Sequence, residues 1–244
     1  MTSFKFSGVR SLGIISGLCL AMLTPSIASA LLIDNFSNAE LVVRSAASGV
    51  GTTTNMIQTN LTGVVNTGDR QAQVSIINPL GTPLISRESS LDIGGGVLGF
   101  SNDTAVRGTF DLFYTDIGTI DASAIGQVLA FEVDDNDLAG GVFTLTLKDA
   151  QGDFDTTTVA LPGTYLGALS IAINTTTFDN VFLNLAGITS INFSYAAAAQ
   201  SGDLALVNGL DLTTVPEPSS LAIALTGLGL AGVYFRRRRN QLSA

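Results

Sequence analysis

The 244-residue chain contains no histidine and no tryptophan, and its one cysteine is Cys19. Without histidine, a Ser-His-Asp triad and a histidine-ligated zinc site are both excluded. Cys19 sits in the apolar run SLGIISGLCLAML of residues 11–23, which follows Lys5 and Arg10 and precedes TPSIASA, closing on Ala28-Ser29-Ala30. Basic, apolar and small residues in that order make residues 1–30 a secretory signal peptide, cleaved after Ala30 with Ala28 and Ala30 as its small residues. The alternative, an uncleaved anchor, is disfavoured because the apolar run is short for a hydrocarbon core of about 30 Å. Cleavage removes the only thiol, so the exported body has no disulfide and no thiolate chemistry. It must be held by an ordinary hydrophobic core.

Basic residues are also scarce where the fold is expected. Between residues 31 and 215 there are five against 19 acids, a formal −14. Such a surface argues against nucleic acid and anionic lipid as partners. Four of the remaining basic residues, Arg236, Arg237, Arg238 and Arg239, stand together behind the stretch from Ser219 to Phe235, which carries no charge. Seventeen residues in helical form span about 26 Å, enough to cross a bilayer core with little to spare. Pro216 and Pro218 stop the helix upstream, and the arginines keep their end cytoplasmic. This physics alone would be satisfied by a plain single-pass anchor.

The tripeptide ahead of the span is what that reading leaves over. Val215-Pro216-Glu217-Pro218-Ser219-Ser220, then a Gly-rich apolar segment, then Arg236 to Arg239, resembles the PEP-CTERM sorting signal of bacterial exported proteins. The resemblance covers about 30 residues. It implies recognition of Pro216, Glu217 and Pro218 by exosortase, a membrane-embedded enzyme, with the helix holding the substrate in the inner membrane and the arginines fixing topology. It also implies export through the Sec translocon and delivery to the cell surface or an extracellular polysaccharide matrix.

The body between these ends is dominated by period two. Phe143 to Lys148, Leu129 to Val133 and Ile191 to Tyr195 alternate apolar with polar residues, as half-buried strands do. Further strands are expected at Leu31–Phe36, Leu41–Arg44, Gln73–Ile77, Val97–Phe100, Val106–Tyr114, Thr156–Leu161, Val181–Leu185 and Asp203–Val207, with one possible helical stretch at Leu166–Ile173. Gly94 to Gly96, Asp134 to Gly141 and Asp149 to Asp155 read as turns. Many short strands predict an all-β, antiparallel, jelly-roll-like sandwich over residues 31–213, ahead of a sorting segment at 214–244. A β-helix is the alternative, but no fixed-length repeat is present. The body also resembles, loosely and in spacing, the β-sandwich ectodomains found ahead of PEP-CTERM signals, some of which are similar to carbohydrate-binding modules.

Carboxylates are the remaining chemistry. Asp134, Asp135 and Asp137, and next Asp153 and Asp155, are candidate calcium ligands, although neither cluster has the spacing of an EF-hand loop. Asp and Asn are also what turns use to satisfy their own backbone. Glycoside hydrolysis would need two facing carboxyls drawn from Glu40, Glu88, Glu132 and the aspartates. Sugar stacking would fall to Tyr114, Tyr165 or Tyr195, with Tyr195 expected in the core. Five Asn-x-Ser/Thr triplets begin at Asn35, Asn60, Asn102, Asn174 and Asn192, as expected by chance in a Thr- and Asn-rich chain. The functional expectation is a structural or adhesive surface protein. A calcium-assisted carbohydrate binder and a carboxylate hydrolase are the alternatives.

Overall fold

The strand β8 (Gln127–Asn136) shows how the sequence makes this fold: Leu129, Phe131 and Val133 turn inward and are buried, while Ala130, Glu132 and Asp134 turn outward. The computed structural model describes residues 30–215 apart from 39, 47–52, 80–86, 125, 138–139 and 175. The expected signal peptide with Ala28, the residues Pro216, Glu217 and Pro218, the span 219–235 and Arg236 to Arg239 therefore lie outside the described residues. Among the described residues there is no α-helix, and no helix is long and apolar enough to cross a membrane.

The same alternation recurs in two antiparallel sheets. The first comprises β1 (Leu31–Asp34), β2 (Leu41–Ala46), β5 (Glu88–Gly94), β6 (Val97–Asn102), β8, β11 (Gly167–Ala172) and β13 (Gly202–Thr214), in the order β11-β8-β13-β6-β5-β2 with β1 also on β13. The second runs β10-β9-β12-β7-β4-β3, from β3 (Thr53–Gln58), β4 (Asp69–Pro79), β7 (Val106–Thr115), β9 (Gly141–Asp149), β10 (Phe154–Leu161) and β12 (Ile188–Ala197). Their inner faces share one hydrophobic core, so the body is a two-sheet, all-β structure. Aromatic rings cross between the sheets: Phe131 of the first lies 4.7 Å from Phe143 of the second, in edge-to-face contact. Tyr195 is buried as expected, and its hydroxyl donates to the Gly140 carbonyl at 3.1 Å. Any side chain at Gly141 would collide with that ring.

Three expectations are corrected. Leu166–Ile173 is not helical: Gly167–Ala172 is a strand paired with β8, Leu169 opposite Phe131 and Ile171 opposite Leu129. The period of two in Leu169, Ile171 and Ile173 prevails over the helical spacing of Leu166, Leu169 and Ile173. Val181–Leu185 is not a strand but a turn running into a 3₁₀ turn at Leu185–Gly187, because Asn180 and Asn184 bond the backbone two residues on. Asp134 to Asn136 belong to β8 and not to the following turn. Two strands, Thr53–Gln58 and Glu88–Gly94, were not expected at all.

Among the described residues, one ion pair lies in the core. Asp34 and Arg70 are both fully buried, joined at 2.6 Å between Oδ2 and a guanidinium nitrogen. Tyr114 donates its hydroxyl to the same Oδ2 at 3.0 Å, the Phe36 amide donates to Oδ1 at 2.8 Å, and Gln58 Oε1 accepts two bonds from Arg70. Burial, and then the Asp34 charge, push the Tyr114 hydroxyl well above the usual phenol range. Removing one member leaves the other charge buried without its counter-ion. Arg70→Met is therefore expected to cost about 3–5 kcal/mol in urea unfolding, whereas a loss below about 1 kcal/mol would show that the pair is not a structural requirement.

Candidate functional site

The last strand ends where the sorting sequence begins. Thr214 of β13 pairs with Gln127 of β8, and the Val215 amide donates to the Gly126 carbonyl at 2.9 Å. Gly126 has φ +76° and sits so close to the Val215 carbonyl that a Cβ there would press against it. Val215, the last described residue, is thus tied to the body, and Pro216 follows it directly in the sequence. Ala30, at the other end, is exposed and precedes β1 directly.

The acidic turns spend their oxygens locally. Asp149, at the end of β9, is buried, with Oδ1 accepting the amides of Gln151 and Asp153 at 2.9 and 3.0 Å and Oδ2 accepting the Asn184 amide at 2.9 Å. The backbone N–H groups, that of Asn184 foremost, hold its carboxyl below the usual carboxylate range. Of the calcium candidates, Asp155 accepts the amides of Thr156 and Asn180, and Asp137 accepts the amide of Asp203. Asp134 and Asp135 are exposed on β8, and Asp153 is half-buried in the turn that Asp149 closes. Among the described residues, no three His, Cys, Asp or Glu side chains are gathered so as to hold a metal ion. The central residue of this region, Asp149, was read in the sequence as the start of a turn and of the second acidic cluster, but not as the residue that closes it. Its signal was the D-x-x-G-D turn pattern of residues 149–153, but its partner Asn184 lies 35 positions away.

The two outer faces differ in chemistry. On the seven-stranded sheet, Glu88, Asp92, Glu132, Asp134, Asp203 and Asp211 all point outward, and a depression of about 470 Å³ is lined by Glu40, Asp92, Gly94, Gly95, Val97 and Gly99. Glu88 is paired with Arg44 at 2.5 Å, and Glu132 accepts from the Asn208 amide at 2.5 Å. On the six-stranded sheet most outward residues are hydroxyls and amides, with Phe113, Ile57, Arg107 and Lys148 among them. One row reads Thr156, Thr146, Asn192, Phe113, Gln71 and Ile57 across successive strands; the next reads Thr158, Thr144, Ser194, Asp111, Gln73 and Asn55. Thr146 and Thr156 join their hydroxyls at 2.9 Å.

Asp111, near the centre of that face, has its carboxyl raised by burial, against a lowering hydrogen bond from Asn192. Asn192 Oδ1 is itself buried and has no donor. Asp211 is raised by burial as well, but it points outward from the other sheet. The two carboxyls with raised affinity for a proton therefore lie on opposite faces of the body and cannot flank one glycosidic bond. Tyr114 is in the core against Asp34 and offers no stacking platform, and the half-buried Tyr165 donates its hydroxyl to the Ala168 carbonyl at 2.5 Å.

These features define an all-β body that hands over, at its last strand, to a C-terminal sorting segment. Residues 214–239 match the model of the PEP-CTERM protein-sorting motif, and the chain carries that motif. It is the motif of exported proteins sorted by exosortase. No curated protein matches the chain. Among solved structures, the family 11 carbohydrate-binding module of the cellulosomal cellulase Lic26A-Cel5E of Clostridium thermocellum is similar at 14% identity and a TM-score of 0.37, over 78% of this chain and 97% of that one. A mutant of the family 29 carbohydrate-binding module CBM29-2 is 13% identical at a TM-score of 0.34, over 66% and 86%. PfGH50B is 16% identical at 0.38 over 53% of this chain, which spans only 22% of that protein's length. Likenesses at this level carry no weight for ligand or activity.

A carboxyl held below its ordinary value stabilises the fold above the unfolded value of about 3.9, and that contribution is lost as pH falls through the folded value. Asp149→Asn should therefore melt below the wild type at pH 7, with the gap closing as pH drops below about 4. An equal gap at pH 7 and pH 2.5 in thermal melts would show that the charge of Asp149 contributes nothing.

Proposed function

We propose that this chain is an exported, exosortase-processed protein whose body is retained at the cell surface or in the extracellular polysaccharide matrix, where its role is structural and adhesive. The observation that carries this is the sorting motif at residues 214–239, beginning at the last residue of the β13–β8 ladder. In this reading the signal peptide is cleaved after Ala30, and Pro216, Glu217 and Pro218 are what the enzyme recognises. The span 219–235 holds the substrate in the inner membrane, and Arg236 to Arg239 fix its orientation. Intact mass of the native protein should show a start at Leu31 and an end between Pro216 and Ser220. Glu217→Ala should leave a chain still carrying its C-terminal segment, and unchanged processing of that variant would remove the reading.

The adhesive surface is assigned to the outer face of the six-stranded sheet. Hydroxyl and amide groups match sugar hydroxyls as donors and acceptors in turn. Charge favours this face as well, because it carries little of the body's acid, whereas the opposite face would repel an acidic polymer. The reading needs no calcium. Cosedimentation with the producing cell's polysaccharide should fall about tenfold on Asn192→Asp, as expected when a wrongly placed charge costs about 1.4 kcal/mol. Asp92→Asn on the other sheet should leave it unchanged. The reverse pattern would assign adhesion to the acidic face.

A further inference from the structure

One end of the body carries exposed apolar side chains that the core does not use. Val181 is 87% exposed, Phe182 74% and Phe154 61%. They come from two segments joined at Asn180, whose side-chain amide donates to the Phe154 carbonyl at 2.9 Å and whose backbone amide donates to Asp155 at 2.9 Å. The Asn184 amide is bonded to Asp149, so the loop bearing Val181 and Phe182 is pinned on both sides.

This is the end at which the chain leaves. Val215 bonds Gly126, the next residue Gln127 bonds Ile173, and Leu185, just past Val181 and Phe182, bonds Ala122. The N-terminal strand begins here too, with Leu31 opposite Leu212. Leu166, 61% exposed, belongs to the other end, beside the start of β11.

Between Val215 and Ser219, where the uncharged span begins, there are only three residues. Four steps of fully extended chain, at about 3.3–3.6 Å each, reach at most about 14 Å. Resting on the reading that residues 219–235 are held in a bilayer, we infer that this end of the body contacts the lipid surface, with Val181, Phe182 and Phe154 reaching the interfacial layer. Aromatic and branched apolar groups are the side chains that layer accepts. The tether is too short to hold the body clear of it, and the exposed residues are those that a lipid surface would cover. The acids Asp121, Asp153, Asp155 and Asp179 near this end mean that the contact is apolar and made to a zwitterionic surface, not an electrostatic adsorption.

The test uses the full chain with Cys19→Ser, reconstituted in phosphatidylethanolamine and phosphatidylcholine vesicles. Single cysteines are introduced by Phe182→Cys, Leu166→Cys or Gly227→Cys, each labelled with an environment-sensitive fluorophore and quenched by lipids spin-labelled near the headgroup or along the acyl chain. The expected result is quenching at 227 by the acyl-chain label, at least twofold stronger headgroup-label quenching at 182 than at 166, and a blue shift at 182. Quenching at 227 without quenching at 182 would overturn the lipid contact while leaving the membrane-held segment in place. Equal quenching at 182 and 166 would overturn the end-on contact. No quenching at 227 would remove the underlying reading itself, and the inference with it.

Discussion

The carboxylate of Asp34 is the point on which the two sheets depend. It lies at the end of a strand of four residues that pairs with β13 at only three positions, and a ladder that short holds little by itself. What fixes it is the second sheet: Arg70 on β4 and Tyr114 on β7 both reach Oδ2, and Gln58 on β3 orients the guanidinium from behind. Burying two charges costs several kcal/mol each before their attraction is counted, so the pair is better understood as specifying register than as adding stability. Around it β13 bulges. Asn208 and Gly209 both have positive φ, and a Cβ at Gly209 would fall inside the Asp34 carbonyl. The bulge makes room for β1, and the pairing of β1 with β13 then sets where both ends of the body emerge.

How much of this was legible follows from the range of each signal. Alternation is local, so the strands at Phe143, Leu129 and Ile191 could be read directly, as could the charge and hydropathy patterns of the two termini. Gln58 and Arg70 are 12 residues apart, Asp34 and Arg70 are 36 and Asp34 and Tyr114 are 80. No residue in that set is unusual in its own neighbourhood, and Tyr114 read as a candidate sugar platform because its strand gives no hint of what lies across the core. Val181 to Leu185 failed in the opposite way. Its composition is that of a strand, but Asn180 and Asn184 bond the adjacent backbone first. The candidate calcium acids were legible as acids, while their commitments, such as Asp155 to Asn180, were not.

The two outer faces separate properties that composition merges. The body's formal −14 would, if spread evenly, repel any acidic polymer from every side. Six of its acids instead project from the seven-stranded sheet, and the other sheet shows rows of threonine, serine, asparagine and glutamine with Asp111 among them. Asp111 is the member of that face whose ionised form the surroundings disfavour. One sheet therefore gives the solubility and mutual repulsion that keep copies apart, and the other offers hydrogen-bonding groups without the charge penalty. Both follow from a single backbone alternation, since the inward half of every strand is already committed to the core.

The position of β13 ties folding to sorting. It lies between β8 and β6 in the seven-stranded sheet and also pairs with β1, so without it that sheet divides into β11-β8 and β6-β5-β2 and leaves β1 unpaired. Asp34 would then lose the strand that positions it against Arg70. A chain exported from its N-terminus delivers β13 last, and the next residues are the sorting motif. The sheet therefore cannot close until the residues directly ahead of the motif have been delivered. Long-range pairing of this kind closes slowly, because the loop entropy is lost before the contacts form. Closure of the sheet thus comes with the last residues ahead of the motif.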